Sequence, residues 1–126
     1  MIVLKKINYW KRIFSAYIIG NTSQLSFWHN HPRVHSKITK DEIGPYYMVF
    51  EEKANYDGYL DKKGIPMLNY HGAVGIQYNP IAIAQWGLGN FNLWYTTKEN
   101  KYYEKFILSA DWLVSNLILN DKNINV

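Results

Sequence analysis

The stretch "GIQYNPIAIAQWGLGNF", residues 75–91, decides how the rest of the chain is divided. Asn79 suits a helix N-cap, and Pro80 suits the first turn, where its missing N–H needs no partner. From there Ile81, Ala84, Leu88, Phe91 and Tyr95 recur at helical spacing, so a helix is predicted to begin at residue 80. Two glycines, Gly87 and Gly89, fall inside it, and each costs about 1 kcal/mol relative to alanine. Such a cost implies close helix contact, or a ligand or hairpin lying against the backbone. Gln85 lies on one flank of the predicted apolar face, with Trp86 about 100° further around. Gln85 reads either as a satisfied core amide or as a group that bonds a substrate.

After this helix, Thr96 and Glu99 have the spacing of a capping box for a second helix. Tyr103, Phe106, Ile107, Ala110, Leu113, Val114 and Leu117 continue as its apolar stripe. Two helices joined this closely form an αα-hairpin, which covers only part of its own apolar surface. No third helix is expected after it to cover the pair, unless residues 3–19 or another subunit do so. The expectation is therefore a truncated helical domain or a homo-oligomer that buries the remainder.

On the other side of the opening stretch, "YYMVFEEK" (residues 46–53) is rich in residues that suit strands. "YDGYLDKKGIPMLNY" (56–70) reads as strand, turn, strand, with Gly64 free to take positive φ. Further back, Leu4, Ile7, Trp10, Ile13, Phe14, Tyr17 and Ile18 predict an amphipathic helix over residues 3–19. Residues 21–43 read as loop. The fold class expected is α+β: residues 1–43 a basic helix and loop, 44–78 a β-hairpin region, and 79–126 an αα-hairpin that begins an (α/α) domain.

Charge is distributed unevenly. Residues 1–40 carry seven Lys or Arg and no acid, while the remainder is net acidic. That basic third could attract an anionic partner, although no nucleic-acid-binding motif accompanies it. The chain has no cysteine, which excludes disulfides and thiolate metal sites and fits a cytoplasmic location. "IFSAYIIG" is too short to span a bilayer, so no membrane partner is expected. His29, His31 and His35 cluster in "WHNHPRVH", yet Asp41 and Glu42 are the nearest acids, and no metal is expected there.

Aromatic residues make up 17% of the chain, with 11 Tyr and 5 Trp, a composition that suits sugar-binding clefts as well as cores. A tyrosine can serve as a general acid or base where cations or hydrogen bonds lower its pKa.

"YDGYLDKKGIPMLNYHGAVGIQYNPIAIAQWGLGNF" followed by "ADWLVSN" resembles the D-glucuronyl C5-epimerase family, whose members convert glucuronate to iduronate in heparan-type polysaccharides. The likeness lies in a Tyr-Asp start, a Gly-Ile-Pro after a turn, a Pro-Ile-x-Ile-Ala-Gln-aromatic-Gly-Leu helix and an Asp-Trp-Leu segment. It covers about residues 44–117. The resemblance implies a tyrosine-rich cleft between a β-hairpin region and an (α/α) domain, an acidic polysaccharide as partner, and no cofactor. It places Tyr78 first among the acid/base candidates, then Tyr59 and Tyr56. Gln85, Trp86 and Gly87 are implied substrate contacts. His71 and Arg33 are added from their charge, as holders of uronate or sulfate. The family's helical domain continues past the Asp-Trp-Leu segment to further acid/base groups, for which this chain has no counterpart. The alternatives are a uronate polysaccharide lyase and a non-catalytic glycan-binding or helical interaction module.

Overall fold

The computed structural model describes residues 7, 10, 11, 14, 18, 33–36, 42–70 and 72–117. The chain divides into two compact units, Met1–Arg33 and Val34–Val126. In the first, Ile7, Trp10, Lys11 and Phe14 are helical, as the sequence pattern predicts. Their apolar members are exposed, with Trp10 at 64%.

Among the described residues the second unit combines three helices with a small antiparallel sheet, an α+β arrangement. Its elements are α1 (Glu51–Ala54), β1 (Tyr59–Leu60), β2 (Pro66–Asn69), β3 (Ile76–Gln77), α2 (Pro80–Thr97) and α3 (Asn100–Ser115). The strand order is β1-β2-β3. Tyr59 stands opposite Met67 and Leu60 opposite Pro66, while Leu68 faces Gln77 and Asn69 faces Ile76. The β1–β2 turn is the predicted one, and Gly64 adopts φ 90°, which a side chain would oppose.

"YYMVFEEK" departs from the strand predicted for it. Met48 makes a single antiparallel bridge with Val34, and Glu51–Ala54 then turns helical. His35 N donates to Tyr47 O at 2.9 Å beside that bridge, while at Tyr46 and Met48 the bonds come instead from one side chain of α2. Asn92 Oδ1 accepts from Tyr46 N at 2.7 Å, and Asn92 Nδ2 donates to Met48 O at 3.1 Å. Two acids in the first turn of α1, Glu51 and Glu52, further favour a helix start over a continued strand.

Asn79 caps α2 as expected, its side chain accepting from Ala82 N at 3.0 Å, with Pro80 in the first turn. The buried face differs from the predicted one. Ile81 is 55% exposed, whereas Ala82, Ile83, Trp86, Gly87, Gly89, Asn90 and Asn92 are buried. The reason is packing on two sides. A Cβ at Gly87 would overlap the Ser109 hydroxyl on α3, and one at Gly89 would overlap the Phe50 carbonyl before α1. A helix held from two directions has no single apolar stripe for periodicity to find. Ile83 is fully buried, which contributes about 1.5–3 kcal/mol.

The predicted capping box is also replaced. Thr96 remains inside α2, where its hydroxyl donates to Asn92 O at 3.1 Å. Lys98 ends the helix with φ 61° and donates its backbone N–H to Trp94 O at 2.7 Å. Glu99 caps α3 without a side-chain hydrogen bond, and its own N–H donates to Thr97 Oγ1. Phe91 meets Phe106 at 5.0 Å and Trp94 meets Tyr103 at 5.0 Å between ring centroids, which closes the αα-hairpin. On α3 only Ser109 is buried; Val114, and Leu117 just past its end, stay exposed.

Candidate functional site

An open cleft of about 680 Å³ lies between the β1–β2 turn and the C-terminal half of α3. The turn brings Asp61, Lys62 and Lys63; α3 brings Asp111, Trp112, Ser115 and Asn116; Ile65 and Leu108 are apolar lining. Tyr78 completes the lining from the junction of β3 and α2. That junction is fixed by Asn79, which caps α2 and also donates from Nδ2 to Tyr70 Oη at 2.6 Å.

Asp61 organises one wall. Its Oδ1 accepts from Lys63 N at 2.8 Å and Ile65 N at 2.9 Å, the side-chain-to-backbone pattern that favours Asp in turns. Backbone bonds from Asp61 N to Ile65 O and from Gly64 N to Asp61 O tighten the same loop. The Tyr78 hydroxyl donates to Asp61 Oδ2 at 2.8 Å. Burial alone would raise the Asp61 pKa. Hydrogen bonds from Ile65, Tyr78, Lys63 and Gly64 outweigh it and hold the carboxyl below its ordinary range. In return, the hydrogen bond to Asp61, then desolvation and the carboxylate's charge, raise the Tyr78 phenol. The Tyr78 ring sits 5.1 Å from Trp112, tilted by 41°. The cleft thus offers an aromatic surface, two exposed lysines and several hydrogen-bonding groups.

Of the expected residues that are described, Tyr78 alone lines this cleft. Tyr59 is 53% exposed on β1. Tyr56 donates its hydroxyl to Met67 O at 2.7 Å, and burial raises its pKa, the opposite of what a base requires. Trp86 is 3% exposed and belongs to the core. Gly87 faces Ser109, so its missing side chain serves helix contact. Gln85 Oε1 is buried without a hydrogen-bond partner among the described residues, and Gln85 does not line the cleft. Arg33 is exposed at the end of the first unit, and His71 lies outside the described residues.

Asp61, Lys62 and Lys63 were legible only as turn chemistry, and Asp111 and Trp112 only as part of the Asp-Trp-Leu likeness. Among the described residues no group of three or more His, Cys, Asp or Glu is placed to hold a metal ion. No helix among them is long and apolar enough to cross a membrane. Comparison with protein-family models, with curated proteins and with solved structures finds no match.

Proposed function

We propose that this cleft binds a uronate-containing polysaccharide, and that the chain is a glucuronate C5-epimerase-like protein. The observation that carries the reading is a tyrosine hydroxyl, bonded to a carboxylate, beside a tryptophan and two lysines in an open cleft. In this chemistry the C5 proton leaves, and its bonding pair delocalises into the uronate carboxylate. A proton then returns to C5 on the opposite face. Lys62 and Lys63 would balance the charge that builds on the carboxylate, and Trp112 would support the ring. Acid/base groups are needed on both faces; Tyr78 and Asp111 stand on different elements of the cleft. Because Asp61 keeps the Tyr78 phenol protonated, Tyr78 suits a hydroxyl contact or proton donor better than a base.

That same feature favours a second reading, a glycan-binding module without chemistry. Incubating the protein with a glucuronate polysaccharide in deuterated water separates the two. Deuterium at C5 without chain cleavage supports the epimerase. Binding without exchange supports the module and ends the epimerase reading. An unsaturated uronate product, seen by ultraviolet absorbance, would instead mark a lyase.

A further inference from the structure

The geometry points to Asp61 and Tyr78 as an acceptor-only corner of the cleft, which takes a sugar hydroxyl and turns away the sugar's carboxylate. The inference rests on the reading of the cleft as a sugar site, and it decides which of Tyr78's two remaining roles applies.

A phenol has one proton to give, and here it goes to Asp61 Oδ2 at 2.8 Å. Asp61 Oδ1 is already occupied by the N–H groups of Lys63 and Ile65. What the pair still offers a ligand is lone pairs: those of Tyr78 Oη and those left on Asp61 Oδ2. Neither atom has a free proton to donate. A ligand hydroxyl can supply the missing proton and complete a chain from ligand to Tyr78 to Asp61. A carboxylate at neutral pH has no proton to supply and meets a second anion at this point. It fits the exposed ammonium groups of Lys62 and Lys63 instead, on the same turn.

The polarity is fixed by the fold rather than by a mobile side chain. Asp61 is tied into the turn between β1 and β2 through both its carboxylate and its backbone, from Asp61 N to Ile65 O and from Gly64 N to Asp61 O. Tyr78 follows β3 directly and precedes the Asn79 cap of α2. Its ring also rests against Trp112, which limits where the hydroxyl can swing. The raised pKa of Tyr78 agrees with a proton held in place. Asp111 adds a second acceptor to the cleft, while the donors lie elsewhere in the lining, on the lysines, Ser115 and Asn116. A sugar would therefore be oriented, with a hydroxyl at the Asp61 corner and its carboxylate at the lysines.

Two measurements on the full chain test this. In the ligand-free protein, ring-labelled tyrosine followed by carbon NMR, with Tyr78 assigned through Tyr78→Phe, reports the phenol's titration. Asp61→Asn keeps an oxygen for Lys63 and Ile65 but removes the charge, so Tyr78 is expected to titrate at lower pH while those two amide shifts persist. An unchanged titration overturns the pair's polarity. The second measurement is binding of a glucuronate–glucosamine hexasaccharide and of the same chain with its carboxyls reduced to alcohols.

Asp61→Asn and Tyr78→Phe should each weaken both probes about tenfold, the loss of one charge-assisted hydrogen bond. The double variant should be no worse than either single one, because the two residues act as one chain. Additive losses, or tighter hexasaccharide binding by Asp61→Asn, overturn the corner and leave the uronate reading standing. Wild-type binding of the reduced probe alone ends the uronate reading and keeps the corner. Binding of neither probe ends both.

Discussion

Two polar hubs in the second unit, Asn92 and Asp61, do similar bonding work to opposite ends. Asn92 is fully buried and meets Tyr46 N, Met48 O and His35 Nε2, three groups from segments far away in sequence. His35 Nε2 also lies 3.3 Å from Glu51 Oε1, so the same cluster reaches α1. Asp61 instead serves two amides of its own turn and one hydroxyl, at the edge of an open cleft. Burial makes every unmade bond at Asn92 costly, because water cannot replace a lost partner. Exposure leaves Asp61 and Tyr78 with lone pairs that a ligand can use. One hub ties distant segments of the fold together, and the other is the one proposed for recognition.

If that contrast is right, removing the buried hub should do the most damage. Asn92→Ala strands a part-buried amide N–H and carbonyl and should cost about 3 kcal/mol, read from the urea midpoint. A loss no larger than that of Asp61→Ala would erase the distinction between the hubs. Gly89→Ala forces a side chain against the Phe50 carbonyl on the same buried side. Its expected cost is about 1–3 kcal/mol, the range for overpacking.

Lys53 sharpens the comparison through pH. It is 4% exposed, and burial lowers its pKa from 10.5 to about 8. Between those two values the unfolded chain holds a proton that the folded chain has released. Stability should therefore rise as pH goes from about 8 towards 10.5, and below about 8 the folded state carries the whole penalty. Lys53→Met should raise stability at pH 7, by up to about 3 kcal/mol, and flatten that rise. A slope that survives the substitution would assign it to another group.

The smallest effect is expected at the open site. Tyr78→Phe should leave the urea midpoint unchanged while weakening oligosaccharide binding. A clear loss of stability would make Tyr78 part of the scaffold rather than the recognition surface.

The chain's local chemistry was readable where a residue acts on its immediate neighbours. Asn79-Pro80 opened α2, Gly64 took the positive φ of the turn, and the β1–β2 hairpin formed where turn chemistry placed it. Reading failed where the partner is distant. Nothing in "YYMVFEEK" reveals that Asn92, 44 and 46 residues from its partners, would supply the bonds of a missing strand. The stripe of Ile81, Ala84, Leu88 and Phe91 misled because α2 is gripped on two sides through Gly87 and Gly89. At the cleft, Tyr78 was marked by the family likeness. Its partner Asp61, 17 residues earlier, looked like an ordinary turn residue because spacing cannot show which hydroxyl reaches it.

Gly89 has a consequence for how this protein can vary over time. The obstacle to a side chain there is main chain, the Phe50 carbonyl and the Ala54 amide, rather than any replaceable side chain. Exchanging Phe50 or Ala54 for smaller residues cannot make room, so no compensating partner substitution exists. Descendants of this sequence should keep glycine at 89 even as residues 50 and 54 drift, and should lose it only together with the helical turn it supports.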